Sequence, residues 1–147
     1  MKQVKTIIIK LKGGMGNQMF QYAFGKALEH AAKERGDTLT IKYDITAYTD
    51  PVKKDTRRPF MLGLLNTKAC TAHTDEAIRA RNPYGIASKI IRKIHEKLDL
   101  SNQVAFSQHL LKPPYKQYYE GYWQSEKFFL PIESDIRSEF TLRAPFG

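Results

Sequence analysis

The pattern of apolar and polar residues in the first part of the chain predicts a strand, a helix and a second strand. Val4 to Lys12 contains three consecutive isoleucines with a leucine beyond, a pattern typical of a strand buried on both faces. From Phe20 to Ala31 the apolar residues recur at helical spacing, and Gly36 stands at the position of a C-terminal cap. Thr38 to Tyr43 then alternates apolar and polar residues. The pattern predicts the β-α-β start of a doubly wound, Rossmann-like α/β sheet.

The middle of the chain is less regular. The short apolar run from Phe60 to Leu65 fits either a strand or a turn. Residues 76 to 100 predict a helix whose basic residues lie off its apolar face. The apolar face consists of Ala87, Ile90, Ile91, Ile94 and Leu98. We interpret it as a packed helix with a basic solvent face rather than a membrane-surface helix, because the apolar face holds no large aromatic anchor.

Regular patterns return near the C-terminal end. Gln117 to Tyr119 predicts a strand, Glu120 to Ser125 a loop whose serine caps the next helix, and Pro131 a break in that helix. In an open α/β sheet, a loop that follows a strand faces the ligand crevice. Tyr122 and Trp123 are therefore candidate platforms for a sugar ring, with core packing as the alternative.

The segment GGMGNQ at residues 13–18 lies between the first strand and the helix. A strand, a glycine turn and a helix in that order leave backbone N–H groups at the helix N-terminus, where an anionic oxygen is favoured. A dinucleotide fingerprint fails because its last position is Met19, and a Walker loop fails because Phe20 stands where a glycine is needed. A tight turn without a ligand is the alternative. The adjacent amides of Asn17 and Gln18 favour a ligand, since a bare turn does not need them.

Composition narrows the class of protein. The 147 residues are 41% hydrophobic and 27% charged, a globular balance. The net charge of +9 comes without a nucleic-acid-binding motif, so we expect no nucleic-acid partner. A ligand that carries a diphosphate, together with peripheral contact with an anionic membrane, accounts for the excess of positive charge, and a plain solvated basic surface is the alternative. The lone Cys70 and the lack of a signal or membrane-spanning run predict a cytoplasmic protein, and peripheral contact with the inner membrane stays open. The histidines lack metal spacing and are assigned no role, and no Asp-x-Asp pair occurs, so the residues fit a protein that needs no metal or cofactor.

Two motifs together carry a family resemblance. The run GGMGNQMFQYAFGKALE, starting at Gly13, and YYEGYWQSEKFF at 118–129 resemble the bacterial α-1,2-fucosyltransferases, glycosyltransferase family 11. The resemblance implies a two-domain, GT-B-type enzyme that transfers L-fucose from GDP-fucose to a galactose 2-hydroxyl of a glycan, with inversion and without a metal. It also implies that residues 1–147 form the N-terminal, acceptor-side domain. The family's H-x-R-R-x-D signature, which binds GDP, does not occur in these residues. We therefore expect the C-terminal GDP-binding half to be absent and this portion to be truncated and inactive.

The turn and the resemblance give the candidate site. The candidate substrate-binding residues are Gly14, Met15, Gly16, Asn17, Gln18, Tyr122, Trp123 and Gln124. The turn amides and Asn17 would stabilise the GDP leaving group as negative charge builds on its β-phosphate. Three carboxylates are candidate general bases by position only, namely Asp44, Glu120 and Glu126. The expected partners are GDP-fucose and a galactose-terminated glycan.

A function of another class stays open at this point. A non-catalytic, basic α/β module that binds a nucleotide or an anionic glycan would show the same turn and the same net charge. Turnover of GDP-fucose discriminates the two. The sequence leaves the acceptor glycan and the oligomeric state open.

Overall fold

A parallel sheet of three strands forms the centre of the computed structural model, which describes residues 4–49, 58–97 and 106–144. The strands are β1 (Val4–Lys10), β2 (Thr38–Asp44) and β3 (Tyr118–Tyr119), in the order β2-β1-β3. Both neighbours run parallel to β1, with Ile7 opposite Ile41 and Ile8 opposite Tyr118. All three carboxyl ends therefore meet at one edge of the sheet. The predicted β-α-β start is confirmed, and the mixed α/β architecture is compatible with a Rossmann-like fold.

Five helices accompany the sheet in the described part of the chain. They are α1 (Met15–Glu34), α2 (Thr46–Thr49), α3 (Thr74–Arg81), α4 (Ile86–Lys97) and α5 (Glu133–Glu139), with 3-10 turns at Leu62–Leu64, Gln108–Leu111, Glu126–Phe128 and Leu130–Ile132. The run left open between strand and turn thus forms a 3-10 turn. Gly36 follows the end of α1 with φ of +81°, as predicted for a C-terminal cap.

Helix α1 packs closely on the sheet because a glycine lies at the contact. A Cβ at Gly25 would lie 2.3 Å from the Tyr43 hydroxyl and 2.9 Å from Cδ1 of Ile9. The Tyr43 hydroxyl donates instead to the carbonyl of Tyr22, at 3.0 Å. Phe24, on the adjacent helical face, is fully buried. The three central isoleucines of β1 are at most 2% exposed. The core therefore lies between α1 and the sheet, and this contact fixes where α1 begins at the carboxyl edge.

The prediction of one packed helix over residues 76–100 is wrong in two respects. A turn at Asn82–Gly85 divides the segment into α3 and α4, and Gly85 has φ of +61°. The apolar face of α4 is not packed. Its isoleucines, Ile86, Ile90, Ile91 and Ile94, are between 51% and 76% exposed. Helical periodicity identifies an apolar face but does not identify what covers it. The predicted Leu98 position lies outside the described residues.

None of the helices in the described ranges combines the length and the apolar composition that crossing a bilayer requires.

Candidate functional site

The turn between β1 and α1 places backbone N–H groups at the carboxyl edge of the sheet. Gly13 adopts φ of +81°, a conformation that favours glycine, and Gly14 is the N-cap without a side-chain cap. The first intrahelical bond runs from the amide of Gln18 to the carbonyl of Gly14, at 3.0 Å. The amides of residues 15–17 precede this bond, and the first turn of α1 carries no acidic residue. The turn is therefore suited to an anion.

Gly16 leaves open space beside the turn. It lies within α1, and a Cβ at this position would meet no atom within 4 Å. A Cβ at Gly14 would lie 3.0 Å from Nη1 of Arg58, so this guanidinium stands over the start of the helix. An apolar cleft of about 210 Å³, lined in part by Phe20 and Phe129, opens next to Gly16. A ligand approaching the turn would thus meet N–H donors, a cation and an apolar wall.

Gln18 holds the turn in place and is not available to a substrate. Its side chain is fully buried. Nε2 donates to the carbonyls of Gly13 at 3.1 Å and Pro59 at 2.9 Å, while Oε1 accepts from the amide of Met61 at 2.8 Å. The expectation that Gln18 binds substrate is therefore corrected, since its amide atoms are already engaged by the backbone.

Gln21 is a second buried amide, which the sequence reasoning did not single out. Oε1 accepts from the amide of Lys12 at 3.0 Å, and Nε2 donates to the carbonyl of Gly121 at 3.1 Å. This side chain ties the end of β1 to the loop that follows β3. The signal was present in the sequence, because two glutamines three residues apart lie on one face of the helix, among residues that are otherwise mostly apolar.

A direct hydrogen bond joins the two motifs of the sequence. Nε2 of Gln124 donates to Oδ1 of Asn17 at 2.6 Å. Asn17 lies in the first turn of α1, and its Nδ2 is close to Gly13, where a Cβ would approach it to 2.5 Å. Gln124 is exposed and Asn17 is partly exposed. The structure therefore brings together these two predicted site residues at the surface of the crevice edge.

The two aromatic residues of the loop after β3 have unequal roles. Trp123 is only 4% exposed and stacks on Phe24 with ring centroids 4.0 Å apart. Its backbone has φ of +54°, which turns the side chain into the core. Trp123 is therefore a core residue and not a sugar platform, which corrects the expectation. Tyr122 is partly exposed, with Nζ of Lys12 at 4.8 Å from its ring centre, so it is the aromatic residue that a ligand can reach.

Two of the three candidate bases, Asp44 and Glu120, form hydrogen bonds or ion pairs at the carboxyl edge of the sheet. Asp44 is 2% exposed, and its carboxylate accepts from the amide of Thr46 at 2.9 Å and the hydroxyl of Tyr118 at 2.6 Å. Burial and the neighbouring Asp44 carboxylate raise the pKa of Tyr118. These contacts disfavour Asp44 as a base. Glu126 is exposed in the 3-10 turn after the loop.

Glu120 is the third candidate and lies among cations. Oε1 is 3.0 Å from Nζ of Lys10 and 3.6 Å from Nζ of Lys12, and Oε2 is 4.0 Å from Nη2 of Arg81. Burial raises the pKa of the Glu120 carboxyl, but the three cations lower it by more, so the pKa lies below its ordinary value. A carboxylate with a lowered pKa is a weak proton acceptor, so this position also disfavours a general base.

A basic cavity of about 260 Å³ opens at the same edge of the sheet. Lys10 at the end of β1 and Thr46 at the start of α2 contribute to one wall. The other cations of its lining are Arg81, Lys89 and Arg92. The carboxyl edge thus combines the turn between β1 and α1 with a concentration of positive charge.

Known glycosyltransferases are similar in sequence to the chain. No family model matches the chain, and no solved structure matches it. An α-1,2-colitosyltransferase of Escherichia coli is 30% identical over 94% of the chain and 46% of that relative. An O-antigen biosynthesis glycosyltransferase of Escherichia coli, WbnK, is 43% identical over 38% of the chain and 17% of that relative. The chain is similar to bacterial glycosyltransferases. These two relatives support a glycosyltransferase family for it.

The extent of the first similarity matters for the site. A match over 94% of the chain necessarily includes both the turn and the loop after β3. The chain spans about half the length of this curated relative. The described site therefore lies within the part of the chain that aligns with about half of this relative.

The Glu120 cluster predicts a pH-dependent contribution to stability. We expect Glu120→Gln to lower the free energy of unfolding by about 1–3 kcal/mol at pH 7, because it removes a charged acceptor from three cations. The folded pKa lies below the unfolded value, so this contribution is present above the unfolded pKa, about 4.3, and is lost as the pH falls through the folded pKa. Urea unfolding at neutral and acidic pH measures it. A difference that persists unchanged in acid would contradict the ion-pair origin, and exposed Glu34→Gln is the control.

Proposed function

We propose that the protein containing this chain is a GT-B-type, inverting α-1,2-fucosyltransferase. It transfers L-fucose from GDP-fucose to a galactose 2-hydroxyl of a glycan and requires no metal. The observation that carries the proposal is the similarity over 94% of the chain to an α-1,2-colitosyltransferase, whose named linkage is the one proposed here. The proposal concerns the complete protein. Residues 1–147 form its acceptor-side N-terminal domain, and the GDP-binding half is supplied outside this chain.

The turn supports a role at the leaving group of the donor. Breaking the bond between fucose and GDP builds negative charge on the β-phosphate, and preorganised N–H donors stabilise that charge. The amides of Met15, Gly16 and Asn17 are placed for this at the start of α1. The guanidinium of Arg58 over Gly14 adds a cation at the same point. These groups form one wall of the donor site in our proposal.

The acceptor lies on the side of the loop after β3. Gln124 and Tyr122 are the reachable predicted residues there, and Gln124 is held by Asn17. An exposed amide recognises sugar hydroxyls, and a partly exposed aromatic ring packs against an apolar sugar face. Of the three carboxylates, Glu126 is the exposed one and stays the candidate base.

The complete protein tests this function by a transfer assay. We expect it to convert GDP-fucose and a β-galactoside into an α-1,2-fucosylated product, with the same rate in the presence of a chelator of divalent metals. The 147-residue chain by itself is expected to show no transfer, since it lacks the H-x-R-R-x-D signature that would compensate the donor diphosphate. Transfer only from nucleotide-activated colitose would contradict the fucosyl donor. Tight GDP binding without any transfer by the complete protein would instead indicate the non-catalytic module.

A further inference from the structure

Helix α4 is oriented with its polar side toward its own chain. Nη1 of Arg92 donates to Oδ1 of Asn82 at 2.7 Å, and Oγ of Ser88 accepts from the amide of Tyr84 at 3.1 Å. Lys89 and Arg92 line the basic cavity at the carboxyl edge of the sheet. An amphipathic helix of a globular domain normally packs its apolar side against the core of that domain. The apolar side of α4 is therefore available for something outside the described residues.

The apolar side forms a continuous exposed stripe. The spacing of three and four residues puts its members on one helical face, and each of them is more than half exposed. They are Ile86, Ile90, Ile91 and Ile94. Tyr84, directly before the helix, is 82% exposed. Large apolar residues grouped in this way mark an interaction surface, whereas single exposed apolar residues do not.

Positive charge borders this stripe. Lys93 and Lys97 are exposed and, by helical spacing, lie along its edge. An apolar face with lysines at its margin and a tyrosine at its end has the composition of a helix that lies in the headgroup region of a bilayer. Anionic headgroups complement the lysines, and the acyl boundary accepts the isoleucines.

Charge and position argue against two other occupants. A second copy of the chain would bring a net charge of +9 against another +9, which opposes association. A second domain that closes the crevice would face the carboxyl edge of the sheet, where α4 presents Lys89 and Arg92. The isoleucine stripe lies on the opposite side of the helix from these two residues. It is therefore turned away from that domain.

We propose that α4 is a membrane-surface helix that binds anionic lipid bilayers through its isoleucine stripe and the bordering lysines. Lys89 and Arg92 belong to the same helix but lie opposite the stripe, so this surface leaves the basic cavity on the side of α4 that faces away from the bilayer. The inference does not depend on the identity of the transferred sugar. It reverses the interpretation from the sequence, in which the apolar face of this segment was expected to be packed.

Sedimentation with vesicles tests the proposal on the 147-residue chain. We expect the chain to sediment with vesicles of phosphatidylcholine mixed with phosphatidylglycerol, to remain in solution with phosphatidylcholine alone, and to bind less in high salt. Ile90→Ser with Ile94→Ser should reduce the partition coefficient at least about tenfold. Lys93→Gln with Lys97→Gln should reduce it by about tenfold or more. Circular dichroism checks that both variants remain folded.

Matched controls change the same residue types elsewhere on the surface. Leu130→Ser with Leu142→Ser removes two exposed apolar side chains, and Lys33→Gln with Lys127→Gln removes two exposed cations. Both controls should bind like the parent. Unchanged binding after the isoleucine substitutions, or equal binding to neutral vesicles, would overturn the proposal. A dimer that the isoleucine substitutions dissociate would assign the stripe to a second copy instead.

Discussion

Replacing Gly25 with alanine is expected to lower the free energy of unfolding by about 2–4 kcal/mol. The added methyl group would lie 2.3 Å from the hydroxyl of Tyr43 and 2.9 Å from Cδ1 of Ile9, and both side chains are almost completely buried. Either α1 moves away from the sheet or the Tyr43 ring moves, which breaks the 3.0 Å hydrogen bond from its hydroxyl to the carbonyl of Tyr22. The cost arises because a packed interior has no room for the displaced ring.

Urea unfolding of the 147-residue chain measures this effect, and Gly63→Ala is the matched control. Gly63 is exposed, and a Cβ there would meet no atom within 4 Å, so this substitution should stay within about 0.5 kcal/mol of the parent. Equal unfolding midpoints for the two variants would contradict the close contact between α1 and the sheet.

Replacing Asn17 with alanine in the complete protein is expected to lower kcat/KM for the proposed fucosyl transfer about a hundredfold or more. This corresponds to a loss of about 2–4 kcal/mol of transition-state stabilisation, as for removal of one preorganised donor. Oδ1 of Asn17 accepts from Gln124, which leaves the Nδ2 donors above Gly13 at the turn. The side chain is partly exposed, so folding should be little affected. Initial rates over a range of GDP-fucose concentrations give the result.

Two further variants separate a direct role of Asn17 from a positioning role. Gln124→Ala removes the same hydrogen bond from the other side but keeps the Asn17 amide, so it should cost less than Asn17→Ala. Lys33→Ala, at the far end of α1, should be nearly silent. If Asn17→Ala matches the parent in both kcat and KM, the turn has only a structural role and the site is misplaced.

Local patterns were sufficient to predict the elements that carry the turn. β1 is predicted by a continuous apolar run, α1 by a helical apolar period and β2 by an alternation of apolar and polar residues. Parallel pairing follows from the helical crossover between the strands. The run from Phe60 to Leu65 was too short to separate strand from turn. The exposed face of α4 was not predictable, because periodicity carries no information about what lies opposite a face.

The candidate site could be predicted in outline but not side chain by side chain. Asn17 and Gln124 were placed in one site, and they form a hydrogen bond. Gln18 has the same donors and acceptors as a ligand-binding amide, and only its burial shows that the backbone uses them. Tyr122 and Trp123 were equivalent candidates, and only Trp123 is buried; the positive φ at Trp123, which a non-glycine residue rarely adopts, is not signalled by the sequence. The proposed lack of a metal requirement stays a prediction.

Anion binding by the turn between β1 and α1 is the centre of the proposed mechanism, and binding of GDP to the complete protein tests it most directly. In a titration followed by amide ¹H–¹⁵N NMR, we expect the largest shifts within this domain at Met15, Gly16 and Asn17, whose N–H groups precede the first intrahelical bond of α1. Arg58 should respond as well, because its guanidinium lies over Gly14. Unmoved amides at these three positions, with the shifts of this domain confined to Lys10, Arg81 and the other residues of the basic cavity, would contradict the account.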